Sequence, residues 1–127
     1  MSTKAQSQRG RTREVDIVKL MAARGWFAIR AASGPVDVVA FSGPKPTWHP
    51  NLPDRHTVPY KERFLHPLFV QAKSTAGGPY ERFGPADREA FLAICSYAGA
   101  DPWLAWWPAH ARSAEWIPGS AFPRSRP

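Results

Sequence analysis

The sequence predicts an α/β protein of the α+β-like kind, a mixed sheet flanked by helices. Three observations carry that reading. Two stretches place apolar residues at helical spacing between start and stop signals. Four short stretches rich in branched and aromatic residues read as strands, with a weaker fifth near the C-terminus. Their order is helix, strand, strand, long loop, strand, helix, strand, short strand, which suits one layer of sheet with a helix on each side.

Residues 1–11 are polar and basic with no apolar period, and are expected to form a flexible basic arm. Thr12 can cap a helix running to about Arg24, with Val15, Ile17, Val18, Leu20 and Met21 as its apolar side and Gly25 as its stop. Trp26–Ala31 reads as a strand, Ser33-Gly34-Pro35 as a turn, and Val36–Phe41 as the clearest strand. Residues 42–67 hold six prolines and show neither period, so they read as a long inserted loop, which in a compact domain is usually functional or mobile. Leu68–Lys73 returns to strand character, and Gly77-Gly78-Pro79 breaks the loop behind it. Gly84-Pro85 opens a second helix with the stripe Phe91, Ile94, Cys95 and Ala98, ended by Gly99. Trp103–Trp107 is a strand whose tryptophans are expected in the core and at a subunit interface, and Glu115–Ile117 a short partner. The expected organisation is one domain over residues 12–117, with 118–127 as a loose tail.

Composition narrows the function. At 127 residues and 43% hydrophobic content the chain can bury one core and is not a disordered polymer. Its apolar runs fall well short of the roughly 20 residues of a membrane span, and the polar N-terminus lacks a secretory h-region. Cys95 is the single cysteine, so no internal disulfide can form and the cytoplasm is the expected compartment. The histidines His49, His56, His66 and His110 lack zinc-like spacing with Cys95. No glycine-rich phosphate loop or serine elbow is present, so no small-molecule cofactor is expected. The net charge is +7, from 17 basic and 10 acidic residues scattered along the chain. That balance favours a polyanionic partner, against the plainer alternative of a basic soluble protein.

Four residues suggest chemistry. Asp37 sits among Val36, Val38, Val39 and Ala40, where a carboxylate is a poor strand former and costly to bury unpaired. A cation would reward it. Gln71 and Lys73 are two apart on the next expected strand, so both leave the same face, and neighbouring strands could bring them to Asp37. An acidic oxygen, an amide oxygen and an ammonium suit Mg²⁺, with the lysine placed to steer a water or offset charge on a phosphate. Glu14 shares a helix face with Ile17, Val18 and Met21, and so points toward the sheet. Spacing alone leaves plainer roles open. Asp37 could pair with Arg30, Glu14 could serve the positive end of its helix, and Lys73 could protect a sheet edge.

Taken in order, these segments resemble archaeal-type Holliday junction resolvases of the PD-(D/E)xK nuclease superfamily, from Gly10 to about Pro108. Gly10-Arg11-Thr12-Arg13-Glu14 resembles the family's Gly-x-x-x-Glu. Gly25 to Arg30 resembles its glycine-aromatic turn and first strand. Ser33 to Ala40 matches its loop and metal-binding aspartate, and Phe69 to Ser74 its Glu-x-Lys strand with a following serine or threonine. The second helix and Pro102–Trp106 resemble the closing helix and strand. The resemblance implies a restriction-endonuclease-like core forming a nuclease domain. It implies Mg²⁺, with Mn²⁺ as a substitute, held by Glu14, Asp37 and Gln71, with Lys73 assisting the attacking water. It further implies a homodimer that nicks four-way DNA junctions symmetrically, with Arg30 and Ser33 near the scissile phosphate. Arg9, Arg11 and Arg13, together with Ser74 and Arg82, complete the expected DNA contacts.

Two departures stand out. The family glutamate is Gln71 here, which removes one negative charge and is expected to weaken metal binding, although some superfamily nucleases carry glutamine. The 42–67 insertion carries Trp48, His49, Asp54, Arg55, His56, Lys61 and Arg63, suited to phosphates and unstacked bases unless it is a passive loop. A nuclease acting on duplex, flap or mismatch DNA, and a junction-binding protein with weak or no cleavage, are the alternatives.

Overall fold

The computed structural model describes residues 3–31, 34–44, 46–50 and 66–124, with side chains from residue 12 onward. The chain runs α1 (Thr3–Ala23), β1 (Trp26–Arg30), β2 (Val38–Ser42), β3 (Leu68–Ser74), α2 (Pro85–Ala98), β4 (Asp101–Trp107) and β5 (Glu115–Pro118), and closes with a 3-10 turn at Gly119–Ala121. The strands lie side by side in sequence order. All neighbours are antiparallel except β3 and β4, which α2 joins as a parallel crossover. The expected mixed sheet with two helices is therefore the observed architecture.

Strand alternation sorts the core onto two faces. Val38, Ala40, Leu68, Val70, Trp103, Ala105 and Trp107 meet Ile17 and Met21 of α1. Leu104 meets Phe83, Phe91, Cys95 and Phe122 on the α2 side, where Val39, Phe69 and Trp106 also pack. Trp103 and Trp107 thus serve the α1 core, and Trp106 turns to the other face. There its indole N–H reaches both the carbonyl and the hydroxyl oxygen of Thr75, at 3.1 and 3.0 Å.

Several boundaries differ from expectation. Helix α1 begins at Thr3, so the backbone of residues 3–11 continues the helix and is not a separate arm. Ala5, Gln6, Gln8, Arg9 and Arg11 are adequate helix formers, and Gly10 alone is too weak a break to stop propagation. Strand β2 begins at Val38, which leaves Asp37 just before it and not within it. The ladder nonetheless extends past that boundary, because Asp37 N–H donates to Val70 O at 3.0 Å and Asp37 O accepts from Ala31 N–H at 2.9 Å. Gly34, at φ 91°, turns the chain into this position. The expected loose tail is ordered through Phe122, whose ring is buried against Phe83 and Phe91. Helix α2 ends as expected, on Gly99 in the left-handed conformation, with φ 67°.

The insertion starts inside the core. Trp48 is buried in the α1-side cluster and its carbonyl accepts the Trp26 indole N–H at 2.7 Å. His49 is buried between the rings of Trp26 and Trp103. The reading of Trp48 and His49 as contacts for phosphates or bases is therefore corrected, since neither presents its ring to solvent. Asp54, Arg55, His56, Lys61 and Arg63 lie outside the described residues.

Candidate metal and phosphate site

Three of the four expected residues share one cavity. Asp37, Gln71 and Lys73 line a space of about 240 Å³ together with Pro35, Phe83 and Asp87. The local cause is strand alternation: Phe69, Gln71 and Lys73 leave β3 on the α2 side, while Leu68 and Val70 enter the α1 core. The turn through Gly34 and Pro35 forms one wall and the start of α2 the other.

Asp37 is held by the backbone. Its Oδ2 accepts the Ala72 N–H at 2.8 Å, which fixes the carboxylate across the β2–β3 seam. Its other oxygen accepts no hydrogen bond among the described residues. Burial raises the Asp37 pKa; the Ala72 N–H lowers it, Glu14 raises it and Lys73 lowers it. The net direction is upward, so the ionised form is under-compensated in this site.

Gln71 is only 6% exposed, and its amide N–H donates to Pro35 O. That bond ties β3 to the 34–37 turn and leaves the amide oxygen without a hydrogen-bond donor among the described residues. The Lys73 ammonium lies 5.8 Å from the centre of the Phe83 ring, at the outer limit of a cation–π contact.

Glu14 is placed differently. It does not line the cavity, and α1 packs on the opposite face of the sheet. Its Oε1 accepts from Arg30 Nε at 3.2 Å. Its charge still reaches Asp37, as the upward push on that group shows. Glu14 and Arg30 therefore form a neighbouring ion pair at the sheet rim. The expected DNA contacts are only partly described. Arg13 pairs with Asp16 at 3.6 Å and stacks over Trp107 at 4.9 Å. Ser74 ends β3 half-buried, and Arg82 is exposed in the loop before α2. Ser33 and the side chains of Arg9 and Arg11 lie outside the described residues.

Sequence reasoning passed over Asp87. It stands in the first turn of α2, where an acidic residue is ordinary, and nothing in the spacing linked it to Asp37. A larger cavity of about 400 Å³, lined by His49, His66, Cys95 and Asp101, opens at the other end of β3 and β4.

The donor set can be tested against a cation. Among the described residues no three His, Cys, Asp or Glu side chains converge on a metal-sized space. A cation beside Asp37 would therefore be held by few protein groups and complete its shell with water and substrate oxygens. That is the habit of Mg²⁺, whose hard oxygen preference matches the carboxylate and amide oxygens present. The residues fit such an ion and fit a soft or thiolate-bound metal poorly.

No family model matches the chain, and no curated protein sequence does either. Among solved structures the fold is similar to that of Archaeoglobus fulgidus Hjc, described as a Holliday junction resolvase from an archaeal hyperthermophile. The TM-score is 0.64 at 18% identity, over 93% of this chain and 79% of that one. The chain therefore shares the fold of that protein, a mixed five-stranded sheet with two helices.

Proposed function

We propose that the chain is a Mg²⁺-dependent DNA endonuclease acting on four-way junctions. One observation carries the reading: Asp37, Gln71 and Lys73 share a cavity in a fold that is also the fold of a junction resolvase. Asp37 and Gln71 would hold the ion, with Glu14 adding negative charge from the rim. When bound, the ion would neutralise phosphate oxygens and lower the pKa of a water. The chain's own groups supply the remainder. The Ala72 N–H orients Asp37. Lys73, in the same cavity, steers a water toward phosphorus and offsets the charge that builds on the phosphate. The +7 net charge favours the DNA backbone.

A homodimer belongs to the same proposal. Phe27, Ile29 and Phe41 are exposed on β1 and β2, and Phe27 pairs directly with Phe41. This apolar face is the surface we assign to the second copy.

A second reading has its own support. The Gln71 amide is already engaged by Pro35 O, so residue 71 serves the turn as well as any ion. A junction-binding protein with weak cleavage would follow if that structural task dominates. Labelled four-way junction and matched linear duplex, each with Mg²⁺ or EDTA, separate these readings. Paired symmetric nicks on the junction alone are expected. Equal cutting of duplex would point to a less selective nuclease, and binding without cutting to the second reading.

A further inference from the structure

We propose that Arg88 is a positioning residue for Lys73, acting through the Phe83 ring that lines the cavity. The inference rests on the reading of the cavity as the cleavage site and adds a residue behind it.

Helix α2 buries an arginine that stability does not ask for. Arg88 is 8% exposed, and a guanidinium keeps its charge at any ordinary pH. No carboxylate pairs with it among the described residues, and its Nε has no hydrogen-bond partner there. Taking such a charge out of water costs stability, and a methionine would fill similar space without that cost. A buried group left this way calls for a reason beyond packing.

The contacts that Arg88 does make give the reason. Its backbone N–H donates to Gly84 O at 2.9 Å, which sets it in the first turn of α2. Its side chain reaches back, and Nη1 donates to Phe83 O at 2.7 Å. The guanidinium carbon stands 5.3 Å from the centre of the Tyr80 ring. Phe83 N–H in turn donates to Tyr80 O at 3.1 Å. Arg88 thus fastens both ends of the 80–83 turn to α2. Phe83 carries that hold into the cavity. It is 1% exposed, meets Phe91 and Phe122 edge to face at 5.9 and 5.5 Å, and lines the same space as Asp37 and Lys73. The Lys73 ammonium lies 5.8 Å from the centre of that ring. Phe91 and Phe122 fix the ring from the core, and Arg88 fixes the backbone that carries it. A lysine is a point charge on a flexible stem, so a wall that limits where its ammonium rests bears on chemistry at phosphorus.

The test is a double-mutant cycle on the whole protein, read by single-turnover cutting of labelled four-way junction. Arg88→Met is expected to lower the rate constant roughly tenfold to a hundredfold, the scale on which a displaced group costs a reaction. Half-saturation with junction is expected to stay unchanged, because Arg88 is buried and Lys73 acts in the chemical step. In a Lys73→Met background the same substitution is expected to cost nothing further, since a residue acting through Lys73 has nothing left to act on. A loss by the same factor in both backgrounds would make Arg88 merely structural and overturn the proposal, as would a wild-type rate in Arg88→Met. A second readout needs no cutting, and it decides alone if Lys73→Met is too slow to follow. The ring current of Phe83 is expected to shift the NMR signals of the Lys73 side chain, and Arg88→Met to return them toward free lysine. Signals unmoved by Arg88→Met would also overturn the role. Thermal unfolding reports whether that variant folds. Should it not, Tyr80→Leu, which removes the ring beside the guanidinium, takes its place in both measurements. If the wild type cuts no DNA while the Lys73 signals respond to Arg88, the nuclease reading falls and the hold of Arg88 on Lys73 stands.

Discussion

Asp37 meets two opposed demands. Burial, with Glu14 nearby, pushes its pKa up, while the Ala72 N–H and Lys73 only partly offset that push. A raised carboxyl binds protons more readily folded than unfolded. Its contribution to stability is therefore full at low pH and falls as pH rises from the ordinary aspartate range through the raised value. Thermal melts in EDTA between about pH 4 and pH 7 should show this decline, and Asp37→Asn should flatten it while keeping the Ala72 bond. The same substitution should abolish cutting and spare DNA binding; surviving activity would remove Asp37 from the site. Gln71→Glu tests the neighbouring position. It should lower the Mg²⁺ concentration needed for cutting. It should also cost about 1–3 kcal/mol in the metal-free state, because Pro35 O loses its donor and a second carboxylate approaches Asp37. Denaturant titration in EDTA reads that cost, and an unchanged Mg²⁺ requirement would argue that residue 71 does not touch the ion.

At the scale of elements, the start of the insertion and the second helix carry the clearest consequences. Trp48 belongs to the core, so Trp48→Ala should destabilise the fold by about 3–5 kcal/mol, checked by urea unfolding. A base-stacking surface residue would instead cost DNA affinity with little change in stability. In α2, burial and the charge of Asp101 push the Cys95 thiol up to about 12. Its thiolate is thus disfavoured in the fold, and Cys95 should resist thiol reagents at pH 8 and react once denatured. Rapid modification of the native protein would mean that α2 opens readily.

For the whole molecule, charge and apolar surface make separate predictions. Binding to any DNA should weaken steeply with salt, since phosphate contacts release counterions whatever the substrate. Under the proposed function, selectivity for junctions would have to come from shape, and a second copy is the simplest source of a symmetric shape. Phe41→Lys should convert a dimer to a monomer in sedimentation while leaving Mn²⁺ binding intact, because the residue lies on the exposed β1–β2 face and not in the cavity. A wild type that sediments as a monomer with bound junction would exclude that face as the dimer contact.

The sequence by itself determined the elements and the pairing of chemistry with strands. Period two placed Gln71 and Lys73 on one side of β3, and glycine and proline signals bounded α2 and the turn before Asp37. These are local properties, set by backbone geometry within a few residues. The helix start at Thr3 was missed because propagation through Gly10 costs little once α1 is anchored by packing. The burial of Trp48, the ordering of Phe122 and the separation of Glu14 from the cavity were decided by tertiary structure. Each depends on which face of the sheet an element covers, and that choice is made by contacts between segments far apart in the chain. Asp87 is the plainest instance. In sequence it is an ordinary acidic residue at a helix start, and only the crossover of α2 from β3 to β4 brings it to the same cavity as Asp37.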